Sequence, residues 1–319
     1  MNKLGKIFDA LEKSKEKHNS SSALDETYDA VVSAKVGKED YAKKTVSLYK
    51  DIKVGDVSGG RINNTEDLKQ ASRVTSFAKT EVLYDDNHID KNMVTLLKPQ
   101  SFEAEQFKIL RTNLLFPSSG KSPRTIMVTS AVPDEGKSLI SANLAVSIAQ
   151  SIQEYVLLID CDIRRPCVHT QFGFGDVPGL SDHLSKGIPV SSLLLKTKVN
   201  KLSILPGGTL LHNPSELVSS QKMTKLLQEV KYRYSDRFIV IDSPPPKLTA
   251  ESSALSRQVD GVLLVIEYGR TSREMVLDLA NTIGKEKIIG IVFNKLDMRF
   301  AQYYGLGKYK TYSKYYQKY

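Results

Sequence analysis

Residues 125–149 read TIMVTSAVPDEGKSLISANLAVSIA, which is an apolar run, a short polar loop and a second, longer run. TIMVTS predicts a buried β-strand, and the second run predicts a helix from Lys137 to about Ala149. Five further apolar runs predict strands, with helical patterns between them: YVLLID, LSILP, RFIVID, GVLLVIE and IIGIVFN. Apolar strands that alternate with helices indicate an α/β fold with a mostly parallel sheet flanked by helices.

The loop between this strand and this helix ends in Gly136-Lys137-Ser138, which is the end of a phosphate-binding P-loop. In such a loop the backbone N–H groups and the helix N-terminus surround the phosphates. Lys137 is expected to reach the terminal phosphates, and the Ser138 hydroxyl is expected to bind Mg²⁺. Ala131 stands where the usual pattern begins with glycine, so the loop departs from the strict consensus.

Acidic residues follow two other predicted strands. Asp160 and Asp162 come at the end of YVLLID, and Asp242 ends RFIVID. Ligands of open α/β sheets bind at these carboxyl ends, where a carboxylate can hold Mg²⁺ or accept the proton of a hydroxyl group. Together with the P-loop, these residues predict a hydrolase or phosphotransferase site. The alternative is that the carboxylates only cap helices, which would not require a P-loop beside them.

The bulk properties restrict the compartment and the partners. The chain has 319 residues and a net charge of +9, which favours anionic partners such as nucleotides, nucleic acid or an acidic membrane surface. Cys161 and Cys167 fit no zinc pattern, and a reducing compartment suits them better. No apolar run approaches the roughly 18–20 residues that span a bilayer. We therefore expect a cytoplasmic protein, in contact with the inner face of the plasma membrane only peripherally or through a partner.

Three regions are expected along the chain. Residues 1–98 contain no proline and read as an N-terminal extension with local helices and flexible joints. Its first helix carries a narrow apolar stripe among lysines, which suits an anionic membrane, a partner helix or its own domain: Leu4, Ile7, Phe8 and Leu11. Residues 99–300 carry the P-loop domain. Residues 301–319 form a tail that is expected to be disordered, and seven of the last seventeen residues are tyrosine.

Three motifs, in this order and spacing, resemble those of the bacterial tyrosine kinases (BY-kinases) that regulate exopolysaccharide and capsule synthesis. The Walker A motif of that family resembles TSAVPDEGKS, residues 129–138. Its Walker A′ motif, DxDxR after an apolar strand, resembles DCDIR, residues 160–164. Its Walker B stretch resembles DSPP, residues 242–245. The resemblance covers about residues 99–319.

The resemblance implies a MinD/ParA-like P-loop protein-tyrosine kinase that transfers the γ-phosphate of ATP to tyrosine with Mg²⁺. Ser138 would bind the metal directly, with Asp162 and Asp242 assisting, and Lys137 would bind phosphates. Asp160 is the candidate base for the tyrosine hydroxyl, whose pKa of roughly 10 requires help at neutral pH. Arg164 would steady the phosphates or its own loop. The candidate nucleotide contacts on the P-loop are Asp134, Glu135, Gly136, Lys137, Ser138 and Leu139.

The resemblance also implies how the tail is used. A neighbouring subunit of a homo-oligomer would phosphorylate its tyrosines: Tyr303, Tyr304, Tyr309, Tyr312, Tyr315, Tyr316 and Tyr319. Because the chain shows no membrane-spanning run, we expect a separate membrane polysaccharide co-polymerase (chain-length regulator) as the activating partner. A cognate tyrosine phosphatase is also expected, and no nucleic-acid partner is.

One family motif is altered. BY-kinases often carry ExxRxxR at the interface of ring-shaped oligomers, and here Lys108 stands between Glu105 and Arg111 in place of the first arginine. Lysine keeps the charge but lacks the planar guanidinium group that binds a carboxylate at two points. The sequence therefore does not decide whether this protein assembles into rings. An ordinary amphipathic helix with solvated charges is the alternative for this stretch.

Three rival functions remain open. A MinD/ParA-type ATPase switch shares the P-loop architecture but typically carries a lysine near Val132 or Pro133, where this chain has none. A GTPase is suggested by Asn294-Lys295-Leu296-Asp297, but the DSPP stretch replaces the γ-phosphate sensor DxxG. Asn294 is therefore expected to contact the adenine side of ATP. A nucleotide-gated scaffold with weak or lost kinase activity is the third rival.

Overall fold

The computed structural model describes residues 84–117, 120–211, 214–233, 237–246 and 250–296. Within these ranges the strands are β1 (Tyr84–Ile89), β2 (Thr125–Ser130), β3 (Tyr155–Asp160), β4 (Phe172–Phe174), β5 (Leu195–Lys196), β6 (Leu202–Leu205), β7 (Arg237–Asp242), β8 (Gly261–Glu267) and β9 (Ile288–Asn294). The helices are α1 (Val94–Leu97), α2 (Phe102–Leu115), α3 (Lys137–Ala149), α4 (Val168–Gln171), α5 (Leu180–Lys186), α6 (Val190–Leu193), α7 (Pro214–Val218), α8 (Gln221–Arg233), α9 (Ala250–Gln258) and α10 (Arg273–Ile283). The predicted N-terminal amphipathic helix and the tyrosine-rich tail lie outside the described residues.

Seven strands form one sheet in the order β5-β6-β3-β7-β2-β8-β9. Every pairing in it is parallel except that of β5 with β6, so the predicted mostly parallel sheet is confirmed. β7 lies between β2 and β3, and its Asp242 is in register with Asp160 of β3. Because parallel strands end at the same edge of a sheet, the loops that follow β2, β3 and β7 meet there.

The predicted helix after the P-loop is α3, and it lies inside the domain. Eleven of its 13 residues are buried, which is unusual for a helix of a small domain. It packs on β2, β3 and β7 on one side and on α1 and α2 on the other. A helix that is apolar on all sides needs such cover, so the sequence of this segment demands a layer of chain outside it.

That outer layer includes residues 84–98, which the sequence pattern assigns to the extension. β1 pairs antiparallel with β4, and Met93 is fully buried in the core. Thr95 donates to Oδ1 of buried Asn143 from its N–H at 3.0 Å and from its hydroxyl at 2.9 Å. A single methionine and one polar pair give no periodic apolar pattern, which is why the sequence does not reveal this attachment.

The helical pattern between β6 and β7 forms two helices, α7 and α8, which are separated at Ser219 and Ser220. The Ser220 hydroxyl accepts a hydrogen bond from the N–H of Met223 at 3.2 Å. A serine in this position satisfies one of the free N–H groups at a helix start, so a new helix begins there. None of the described helices has both the length and the hydropathy needed to cross a membrane.

Candidate active site

A cavity of about 580 Å³ opens at the carboxyl edge of the sheet. Its walls come from the P-loop, the segment after β3 and the Pro244-Pro245 turn after β7. Seven of the residues predicted from the sequence line it: Asp134, Gly136, Lys137, Ser138, Leu139, Asp162 and Arg164. The fold therefore brings the P-loop and the DxDxR segment together around one space.

The P-loop turns into α3 through Gly136, whose φ of 90° lies in the left-handed region. A Cβ at this position would lie 2.2 Å from Asn294 Nδ2, so both the backbone angle and the close packing require glycine. After this turn, Lys137, Ser138 and Leu139 begin α3 and line the cavity. The N-terminus of a long helix thus borders the cavity, as anion binding requires.

Lys137 and Asp162 form the central ion pair of the cavity. Lys137 Nζ lies 2.8 Å from Asp162 Oδ2, and the two side chains are only 12% and 9% exposed. Burial alone would lower the pKa of Lys137, but the carboxylates of Asp242 and Asp162 outweigh it and raise that pKa. Lys137 is therefore a fixed cation, and Asp162 occupies the position where a phosphate group could replace it.

Asp242 lies beneath this pair and is fully buried. Its Oδ1 accepts a hydrogen bond from Ser141 at 3.2 Å, while Oδ2 has no hydrogen-bond partner among the described residues. Burial raises its pKa to about 6, although the nearby Lys137 cation and Ser138 hydroxyl oppose the shift. An unsatisfied buried carboxylate oxygen beside a serine hydroxyl suits a hard cation, so Ser138, Asp162 and Asp242 fit Mg²⁺.

Asp160 is placed differently from its predicted role. It is fully buried and is not among the residues that line the cavity. Its Oδ1 accepts from the N–H of Asp162 at 3.1 Å, and its Oδ2 accepts from the N–H groups of Cys167 and Val168 at 3.0 and 3.1 Å. Burial and the nearby Asp242 raise its pKa well above the usual range. In this structure the side chain of Asp160 therefore stabilises the segment after β3, which contains Asp162.

Arg164 is exposed at the mouth of the cavity and donates from Nη2 to the hydroxyl of Ser215. Ser215 belongs to α7, so this arginine links the DxDxR segment to the first helix after β6. Arg165, which the sequence reasoning did not single out, also lines the cavity. With Lys137, the two arginines give the cavity a cationic rim that suits a polyphosphate.

Two predicted nucleotide contacts have other partners. The carboxylate of Glu135 is fully buried and accepts from the N–H groups of Val132 and Glu267 at 2.8 and 2.9 Å. Asn294 is predicted to contact the adenine side, but its Nδ2 donates to the carbonyl of Glu135 at 2.8 Å. Neither residue is among those that line the cavity. Both side chains support the P-loop from behind.

Cys167 and Gln171 line the cavity but were not predicted as site residues. Burial raises the pKa of Cys167 to about 12, so its sulfur is a thiol and not a thiolate at neutral pH. The signal that could have found both is their position, because they lie three and seven positions after the DxDxR motif, which follows the end of a parallel strand.

The comparisons with known proteins agree with this geometry. A family model described as the CobQ/CobB/MinD/ParA nucleotide binding domain matches residues 126–304, which is more than half of the chain. Tyrosine-protein kinase YwqD of Bacillus subtilis (strain 168) is 33% identical over 234 residues, which cover 73% of this chain and 97% of YwqD. The chain belongs to the bacterial tyrosine kinases.

Two more comparisons add to this assignment. The kinase domain of Escherichia coli tyrosine kinase ETK is similar with a TM-score of 0.58 and 27% identity, covering 64% of this kinase and 82% of that chain. Succinoglycan biosynthesis transport protein ExoP of Rhizobium meliloti (strain 1021) is 32% identical over 228 residues, which cover 68% of this kinase but 29% of ExoP. The predicted fold and family are confirmed by one relative named as a tyrosine-protein kinase and another named as a succinoglycan biosynthesis transport protein.

The altered interface motif of this kinase lies on α2, and its charges contact the same chain. Lys108 Nζ lies 3.0 Å from Glu105 Oε2. Arg111 Nη1 donates to the carbonyl of Ser147 at 2.9 Å, which ties α2 to the end of α3. The structure thus shows an intrachain role for all three side chains.

Proposed function

We propose that this protein transfers the γ-phosphate of ATP to tyrosine hydroxyl groups, and that its own tail is a substrate in trans. The observation that carries the proposal is the convergence of Lys137, Ser138 and Asp162 on one cavity, with the unsatisfied oxygen of Asp242 beneath it. This arrangement matches the needs of phosphoryl transfer, in which positioning and charge neutralisation supply most of the catalysis.

The bonds change in a simple way. The tyrosine oxygen forms a bond to the γ-phosphorus, the bond from that phosphorus to the β–γ bridging oxygen breaks, and ADP leaves. A Mg²⁺ ion held by Ser138, with Asp162 and Asp242 in support, would neutralise charge on the phosphate oxygens. Lys137 exchanges its bond to Asp162 for the phosphates, and the arginines at the rim add further positive charge.

The tyrosine proton must pass to a carboxylate. Asp160 is the base predicted from the sequence, but it can reach the cavity only if its bonds to the N–H groups of Cys167 and Val168 open. Asp162 already lines the cavity, and its Oδ2 is released when Lys137 turns to the phosphates, so this oxygen can accept the proton while Oδ1 supports Mg²⁺. The geometry of this state therefore favours Asp162 as the acceptor, with Asp160 holding its loop in place.

The cellular setting is part of the same proposal. ExoP is more than three times as long as the segment that matches, and in this system a separate membrane co-polymerase would take the place of that additional chain. The kinase would act at the inner face of the plasma membrane as a homo-oligomer, with a tyrosine phosphatase resetting the tail. Each added phosphate brings about −1.5 to −2 charges, and several of them together would reverse the sign of the tail, which carries four lysines.

The experiment is phosphotyrosine mapping by mass spectrometry after incubation with Mg²⁺–ATP, with and without the cytoplasmic segment of the membrane partner. Lys137→Ala should abolish tail phosphorylation. Lys186→Ala is the matched control, because Lys186 forms a 2.7 Å ion pair with Asp182 outside the cavity. ATP turnover with an unmodified tail under both conditions would contradict the proposal and favour a MinD/ParA-type switch, while no turnover would favour a scaffold.

A further inference from the structure

Two side chains at and directly after the end of β9 donate hydrogen bonds to two main-chain carbonyl groups of the P-loop. Lys295 Nζ donates to the carbonyl of Asp134 at 2.8 Å, and Asn294 Nδ2 donates to the carbonyl of Glu135 at 2.8 Å. Lys295 also reaches Glu267 Oε2 at 3.0 Å. Two adjacent side chains therefore bind two adjacent peptide groups of the loop.

The same two peptide groups carry the N–H groups of Glu135 and Gly136. A peptide unit is planar and trans, so its C=O and N–H point in opposite directions. When the carbonyls of Asp134 and Glu135 are held toward β9, the two N–H groups must face away from β9. Neither N–H donates to a described residue, and the adjoining Asp134 and Gly136 line the cavity.

We infer that Asn294 and Lys295 are positioning residues, which fix the orientation of the two P-loop N–H groups that bind the phosphates of the nucleotide. The role rests on the nucleotide binding proposed above and extends it to residues that do not touch the ligand. A P-loop peptide that could rotate would present a carbonyl oxygen to an anion, and the two donors at the end of β9 and directly after it prevent that rotation.

The surrounding contacts are consistent with a loop that is held in one conformation. Asp134 and Lys295 are the two residues other than glycine with positive φ in the described part of the chain, at 65° and 55°, and they contact each other. Strained backbone persists only where neighbouring contacts determine it. The buried carboxylate of Glu135 adds such contacts, since it accepts from Val132, Glu267 and Thr271.

The test measures binding and not catalysis. Dissociation constants for Mg²⁺–ATP and for inorganic pyrophosphate are compared in Asn294→Asp, which keeps the shape but loses the donor, and in Lys295→Met. Each variant should weaken both ligands by a similar factor of about ten or more, since a hydrogen bond to a P-loop carbonyl is lost. Lys295→Arg restores a donor and should recover most of the affinity.

Lys287→Met is the matched control, because Lys287 donates to the carbonyl of Val259 at 2.9 Å and touches no part of the P-loop. Melting curves without ligand show whether each variant is folded. Asn294→Asp binding that weakens for ATP but not for pyrophosphate would overturn the inference and indicate base recognition. Dissociation constants within about two-fold of the unaltered protein for both variants would also overturn it. Wild-type binding without tyrosine phosphorylation would contradict only the proposed function.

Discussion

At the scale of single residues, the two carboxylates of the DxDxR motif differ in what they support. Asp160 accepts three backbone N–H groups, whereas Asp162 pairs with Lys137 and faces the cavity. The sequence identifies both as site residues because both follow a buried strand. The sequence does not reveal that Asp160 binds the main chain of its own loop. Hydrogen bonds to main-chain N–H groups do not depend on the neighbouring residue types, so no residue pattern indicates them.

This difference predicts unequal effects of truncation. Asp160→Ala leaves three N–H groups without an acceptor, two of them buried, and should reduce the free energy of unfolding by about 2–4 kcal/mol. Asp162→Ala removes one of the two carboxylates that stabilise Lys137, and because Asp242 remains beside the lysine this change should cost less, while both variants lose kinase activity. Chemical denaturation of the two proteins without nucleotide measures the difference. Equal stability would show that Asp160 does not hold the loop.

Asp242 predicts a pH dependence. Burial raises the pKa of Asp242 to about 6, above its ordinary value, so the native state binds this proton more tightly than the unfolded state does. The contribution to stability is present at low pH and is lost as the pH rises through about 6. Asp242→Asn should therefore gain stability over the unaltered protein between about pH 4 and pH 7, by on the order of 1–3 kcal/mol. A difference in the free energy of unfolding between the two proteins that stays constant across this pH range would contradict the raised pKa of Asp242.

At the scale of elements, the strands and α3 follow from the sequence because their apolar runs are long and uninterrupted. The predicted helix 137–149 and the predicted strands agree with the structure. The contacts of the P-loop with β9 could not be predicted, because Asn294 lies 159 positions from Glu135. Asn294 and Lys295, which resemble part of a base-reading motif in the sequence, donate hydrogen bonds to P-loop carbonyl groups in the structure.

The turn into α3 gives a matched pair of glycine variants. Gly136 and Gly187 both have positive φ, at 90° and 72°, so alanine costs each about 1–2 kcal/mol of stability. Only Gly136 is crowded, since a Cβ there meets Asn294 while one at Gly187 meets nothing within 4 Å. Gly136→Ala should therefore destabilise more and weaken ATP binding at least about ten-fold, whereas Gly187→Ala should leave ATP binding unchanged. Denaturation and nucleotide titration of both variants check this.

At the scale of the whole molecule, the packed domain includes chain that precedes Pro99. Met93 and Thr95 are buried against α3, although the residue pattern places them in an extension. A protein that begins at Pro99 should be less stable than one that begins at residue 82, by about 2–5 kcal/mol for the loss of Met93 alone. Thermal unfolding of the two proteins measures this. Equal melting temperatures would place the boundary at Pro99 after all.

The central claim is that the cavity phosphorylates the tyrosine tail of another copy. The most direct measurement mixes two variants with Mg²⁺–ATP and the membrane partner's cytoplasmic segment: Lys137→Ala with an intact tail, and a catalytically intact chain whose seven tail tyrosines are phenylalanine. Mass spectrometry should find phosphotyrosine on the tail of the Lys137→Ala chain in the mixture and none on either variant alone. An unmodified tail in the mixture, beside a wild-type protein that phosphorylates itself, would contradict transfer between copies.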